Sequence, residues 1–228
     1  MGNTYAREDS VDSTAGRSSR SSSLLRKYSR SLKCRDTDSF SKYPSTEDGF
    51  EEDRVRGRQE SDDKGETEIE EPPPEQLTEE QKETLKRTWK IIEASVAKVG
   101  VVLFMGLFET HPDVQEVFTP FRGLPMEEVQ QSKELRSHAL RVMGFVEKAV
   151  RRLDQPEKLV PLIQECGRNH CHYGAQVQHI ELVGPQFLQA IKPALEDQWT
   201  EEVEVAWGLL MMNIAYVMKT AMKKEMMK

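Results

Sequence analysis

Cysteine is scarce in this chain: Cys34, Cys166 and Cys171 are the only three among 228 residues. An odd count without CxxC spacing excludes a disulfide framework and predicts a reducing, cytosolic setting. Cys166 and Cys171 lie five apart on one predicted helix, about 140° of rotation, so no bridge joins them there. No apolar h-region and no uninterrupted apolar run of 18 residues is present, so neither a signal peptide nor a membrane span is expected. Alternating strand patterns and hairpin dipeptides are also missing, which leaves an all-α fold class.

What is abundant is charge, unevenly spread. Residues 1–35 carry eight Lys/Arg against three Asp/Glu, residues 36–76 five against fifteen, and residues 77–228 nineteen against twenty-one. The first region is a basic tail rich in Ser, Arg and Gly. The second is acidic, with few aliphatic residues. Neither buries enough apolar area to offset the entropy of ordering, so 1–35 and 36–76 are expected to be disordered, the latter as a linker. Residues 77–228 have the length of one ordinary domain. With the whole chain at −7, no nucleic-acid partner is expected.

Within that domain, Thr78 and Gln81 three residues later have the form of a capping box, opening a helix whose apolar positions are Leu85, Trp89, Ile92 and Val96. A second helix runs through Val102, Leu103, Phe104, Leu107 and Phe108. Pro112 suits the first position of a short third, because its missing N–H has no partner to lose there. Phe118-Thr119-Pro120-Phe121 forms an aromatic turn, and 122–131 is a loop or short helix. Pro156 and Pro161 bracket the start of a later helix. Val183, Phe187, Leu188, Ile191 and Leu195 mark another, which Pro193 should kink or end near Lys192. The last begins near Thr200, with Glu201 and Glu202 first and Lys219, Lys223 and Lys224 late, as the helix dipole favours.

Two histidines break otherwise apolar stripes. Leu135, His138, Val142, Phe145, Val146 and Ala149 recur at three- and four-residue steps on one helix; Leu159, Leu162, Ile163, Cys166 and His170 do so on another. A single inward histidine is usually a satisfied core residue. Two of them, 32 residues apart on different helices, suggest one shared ligand and point to iron held between the helices. His111, His172 and His179 carry no such pattern, and His172 faces roughly away from His170.

Trp89, Leu103-Phe104, Pro112-Asp113, Phe118, His138 with Val142, Gly167-Arg168-Asn169-His170 and Trp207 occur in the order and spacing of the globin family. Over residues 77–225 the chain resembles globins, in particular the neuroglobin-like and globin X branch, whose tail-plus-domain layout it shares. The resemblance implies a three-over-three helical sandwich that binds haem b, iron protoporphyrin IX. It implies His170 as the proximal ligand and His138 as the distal one. His170 would bind through Nε2 while its Nδ1–H donates to the carbonyl one turn back, that of Cys166. Phe118 would pack on the porphyrin, Phe104 and Val142 would form the distal wall, and Arg141 would meet a propionate.

In the neuroglobin-like branch the distal imidazole itself binds the iron, so oxygen and other diatomic gases compete with it. The implied role is redox or oxygen signalling. The alternatives are a haem enzyme that reduces nitrite or dioxygenates nitric oxide, and an acylated helical adaptor without haem. With no fused reductase domain in the sequence, turnover would need an external electron donor.

Met1-Gly2-Asn3-Thr4-Tyr5-Ala6 approaches the myristoylation pattern at Gly2, with Ala6 in place of the preferred Ser or Thr. One acyl chain anchors only marginally. Seven basic residues between Arg17 and Arg35, uninterrupted by acid, supply a second signal toward an anionic membrane, and Cys34 is a candidate palmitoyl site. The expected location is the cytoplasmic face of the plasma membrane, or the cytoplasm if acylation does not occur.

Overall fold

The computed structural model describes residues 72–228. Gly2, Cys34, the basic tail and the linker through residue 71 lie outside the described residues.

Among the described residues eight α-helices follow in order: α1 Glu79–Ile92, α2 Val96–Thr110, α3 Pro112–Val117, α4 Met126–Gln131, α5 Lys133–Val150, α6 Pro156–His172, α7 Val183–Leu195 and α8 Glu201–Met226, with short 3-10 turns between several of them. Their ends follow local chemistry. Thr78 Oγ1 accepts from Gln81 N at 3.2 Å while Gln81 Oε1 accepts from Thr78 N at 2.9 Å, the reciprocal capping expected of this pair. Ser132 and Thr200 cap α5 and α8 in the same sense. Pro112 and Pro156 occupy first turns, where a missing N–H costs nothing.

Pro193 does not end α7 at Lys192; the helix runs on to Leu195. The carbonyl that its ring deprives of a donor is that of Gln189, which is exposed and within reach of water, and only two helical residues follow. Val102, expected on the apolar face of α2, is 46% exposed, while Leu103, Phe104, Leu107 and Phe108 are buried.

The helices form two layers. α1, α5 and α6 lie over α2, α7 and α8: α1 packs on α8 and α7, α5 on α2, and α6 on α8, the last being the most extensive contact. Two crossings are close because a glycine sits in each. A Cβ at Gly100 of α2 would lie 3.0 Å from Ala139 Cβ of α5; at Gly167 of α6 it would lie 2.6 Å from Met218 O of α8. Trp207 is fully buried and donates from Nε1 to Thr88 Oγ1 at 3.0 Å, and the Thr88 hydroxyl in turn donates to Thr84 O at 2.7 Å.

Two stretches, Glu79–Thr110 and Glu201–Met226, are long and apolar enough, by length and composition alone, to cross a membrane. The first is broken by a 3-10 turn at Glu93–Ser95, and both supply core residues of the two-layer domain, which accounts for their hydropathy.

Candidate functional site

α5 and α6 do not pack extensively on each other, and each carries half-buried apolar side chains at the edge of the core. On α5 the single stripe of the sequence resolves into two faces. Leu135, Ala139, Met143, Val146 and Ala149 are buried in the core; His138, Val142 and Phe145 are half-buried beside them. On α6, Ile163 and Gly167 are buried, while Leu159, Leu162, Cys166 and His170 are half-buried. The two histidine-bearing faces come near enough for the His170 imidazole to depress the pKa of His138.

The His138 ring stands edge-on to two phenylalanines, with centroids 4.8 Å from Phe104 of α2 and 5.2 Å from Phe118, which caps α3. Those two rings also meet edge to face at 6.0 Å. Burial holds the imidazole neutral, with the Arg141 guanidinium and the His170 imidazole adding to the effect, and its pKa falls to about 4. A neutral imidazole offers a lone pair. His170 is fixed differently: Nδ1 lies 2.8 Å from the Cys166 carbonyl oxygen, which makes Nδ1 the donor and leaves Nε2 as the nitrogen with a lone pair. The Cys166 thiol, 3.7 Å from the same Nδ1, is pushed up to about 11 by burial and stays protonated. Cys166 and Cys171 are both free, as their spacing predicted.

A residue that the sequence did not single out anchors the aromatic turn. Gln115 is buried, and its Nε2 donates to Phe121 O and Leu124 O, each at 2.9 Å, tying the turn that carries Phe118 and Phe121 to α3. Nothing in the sequence around a glutamine in a six-residue helix signals this. Gly100 and Gly167 did carry a signal, since a glycine inside an apolar helix costs stability and asks for a packing reason. Arg141 is exposed and donates to Ser137 Oγ at 2.9 Å, one turn back on its own helix. His172 is exposed near Glu225, and His179 is buried with Nε2 3.7 Å from Asp113 Oδ2, so neither joins His138 and His170.

Among the described residues no group of three or more His, Cys, Asp or Glu side chains could hold a bare metal ion. Two half-buried imidazoles on different helices, each offering a nitrogen lone pair, would instead suit an iron whose remaining ligands belong to a macrocycle. The model of the globin family matches residues 102–218.

The chain belongs to the globin family. Cytoglobin-2 of Danio rerio is 30% identical over 140 residues, covering 60% of this chain and 78% of that protein. An anaerobic nitrite reductase of Gossypium hirsutum is 27% identical over 152 residues, covering 64% and 91%. Among solved structures, a hexacoordinated haem protein from an anhydrobiotic tardigrade superposes with a TM-score of 0.62 at 22% identity, over 64% of this chain and 96% of that one. Ferric myoglobin of Aplysia limacina gives 0.58 at 20%, over 64% and 98%. The fold is therefore the all-helical globin fold, with the described α1–α8 as its body, and membership implies haem. The half-buried apolar faces of α5 and α6, the pinned His170 and the neutral His138 fit that group.

Proposed function

We propose that this globin holds haem b between His170 and His138 as a six-coordinate centre, in the manner of the globin X branch, and exchanges His138 for oxygen or other diatomic gases. The observation that carries the reading is a neutral His138, clamped by Phe104 and Phe118, near a His170 whose Nδ1 is already committed to Cys166 O. When bound, the iron supplies reversible gas ligation and one-electron redox chemistry. The chain supplies orientation. The Nδ1–H bond to Cys166 O fixes the His170 tautomer and makes Nε2 a stronger base. Phe104 and Phe118 hold the His138 ring and keep water from it. Because an incoming gas competes with His138, its apparent affinity is the intrinsic one multiplied by the fraction of time that His138 is displaced. Such a site serves redox or oxygen signalling better than bulk storage. Val142 completes the apolar wall on the His138 side, and Arg141, whose Nη1 donates to Ser137 Oγ, has further N–H groups to offer a propionate.

The tail adds location: Gly2 myristoylation, with Cys34 palmitoylation or the Arg17–Arg35 basic run as second signal, would hold the globin at the cytoplasmic face of the plasma membrane. Flotation of the full chain with anionic liposomes tests this; binding unaffected by Gly2→Ala and by neutralising the basic run would overturn it. The iron reading is tested by optical spectra of the reduced protein. Wild type should be low-spin without added ligand and His138→Leu high-spin, and a spectrum indifferent to that change refutes the distal role. A second reading, nitrite reduction, is favoured by the names of the plant relatives. It requires an external electron donor, and anaerobic nitrite turnover with a reductase separates it from a carrier role.

A further inference from the structure

The segment leading into α1 lies along α8 and has a direction. Trp207 of α8 bonds Thr88, and six residues further along α8 the Asn213 Nδ2 donates to Glu75 O at 2.9 Å, thirteen residues earlier in sequence than Thr88. The chain upstream of α1 therefore runs antiparallel to α8, toward its C-terminal end. Leu77 packs on the core and Pro74 is half-buried, so the segment is seated there. Next upstream are Pro72, Pro73 and Pro74. Proline fixes an extended left-handed course of about 3.1 Å per residue, so the three span about 9 Å. Along α8, Asn213 to Lys219 is also about 9 Å, at 1.5 Å per residue.

That end of α8 borders a shallow groove of about 760 Å³ whose lining includes Cys171, Val177, Glu181, Lys219, Lys223 and Met226. Glu181 pairs with Lys219. Arg168, His172 and Lys228 surround Glu225 and hold its carboxyl below the usual range, Lys228 chiefly by its hydrogen bond. Even with Glu181 and Glu225 included, the region is positive. Met226 and Met227 are 66% and 81% exposed beside it, and Tyr173 is 78% exposed at the end of α6.

We propose that Glu66-Thr67-Glu68-Ile69-Glu70-Glu71 docks in this groove, intramolecularly, its glutamates on the lysine side and Ile69 against the exposed methionines. The occupant follows from register and charge. Three prolines bring Glu71 and Glu70 level with Lys219, and two to four more extended residues, at about 3.3 Å each, bring Glu68 and Glu66 level with Lys223 and the end of α8. Four carboxylates in six residues complement the positive rim. The docked segment rests against Cys171, the residue after His170, so the linker meets the domain at the end of the helix that carries His170.

Zero-length carbodiimide coupling of the full chain at low ionic strength, followed by peptide mapping, tests this. Amides should form between Glu66–Glu71 and Lys219, Lys223 or Lys224. Their yield should fall about ten-fold in 1 M salt, where the screening length shrinks from about 10 Å to about 3 Å. The same loss is expected for the Glu66→Gln, Glu68→Gln, Glu70→Gln, Glu71→Gln variant, which leaves the groove intact; for it the readout is non-covalent, loss of protection of Lys64 from trypsin. Links scattered evenly over Lys98, Lys148 and Lys192 overturn the proposal. So do links found only between isotopically distinct copies, which would make a second chain the occupant, or no links at all, which would leave the groove to another acidic partner.

Discussion

Replacing Gly167 by alanine should destabilise the domain even though alanine is the better helix former. The added Cβ would lie 2.6 Å from Met218 O, 3.0 Å from Met218 Cα and 3.2 Å from Ala221 Cβ. Ordinary contacts are about 3.5 Å, so α6 and α8 would have to part by roughly 0.5–1 Å. The obstacle is backbone in the most extensive helix contact of the fold, with no flexible side chain to swing away. Overpacking of this kind costs about 1–3 kcal/mol, and the upper half of that range applies here. Helix propensity returns about 0.8–1 kcal/mol. The net loss of about 1–2 kcal/mol corresponds to a Tm lower by roughly 2–8 °C for a domain of this size. Gly144 on α5 is the control, because its Cβ would meet nothing within 4 Å. There propensity acts alone, and Gly144→Ala should raise Tm by about 2–4 °C. Thermal unfolding by circular dichroism reads both. An unchanged or higher Tm for Gly167→Ala would refute the argument that this glycine sets the seat of the helix carrying His170.

Three further outcomes follow from buried polar groups. Thr88→Val removes the acceptor of the Trp207 indole N–H and should cost about 1–3 kcal/mol in denaturant unfolding, whereas Trp89→Phe removes a buried Nε1 that has no partner and should cost less than its lost area suggests. Gln115→Leu strips the donor from Phe121 O and Leu124 O and should cost about 1–3 kcal/mol, with faster amide exchange confined to the 118–124 turn. In haem-free protein His138 has a folded pKa of about 4, below its unfolded value near 6.5, so the unfolded state binds the proton first as pH falls. Stability should therefore decline from about pH 6.5 down to about pH 4 and then level for this group, and His138→Leu should flatten that slope in urea titrations.

Much of this was legible because it is local. The Thr78–Gln81 pair, Pro112, Pro156 and Thr200 mark helix starts through chemistry within one turn, and all occupy those positions. The two histidines were legible as inward residues on apolar stripes. The partition of α5 was not. Ala139 and Met143 are buried in the core while His138 and Val142 are half-buried at its edge, and an apolar arc in sequence does not say which part is fully covered. Gln115 reaches carbonyls six and nine residues away that only the folded turn brings near. Pro193 misled for a related reason: whether its unpaired carbonyl matters depends on solvent exposure, which is tertiary.

The central claim is that His170 and His138 together ligate one iron. Low-temperature electron paramagnetic resonance of the ferric full chain reads the axial ligands directly. A rhombic low-spin signal that turns high-spin in His138→Leu, and haem binding that is lost in His170→Ala, is the predicted result. A high-spin wild-type signal, or one unchanged by His138→Leu, would contradict it.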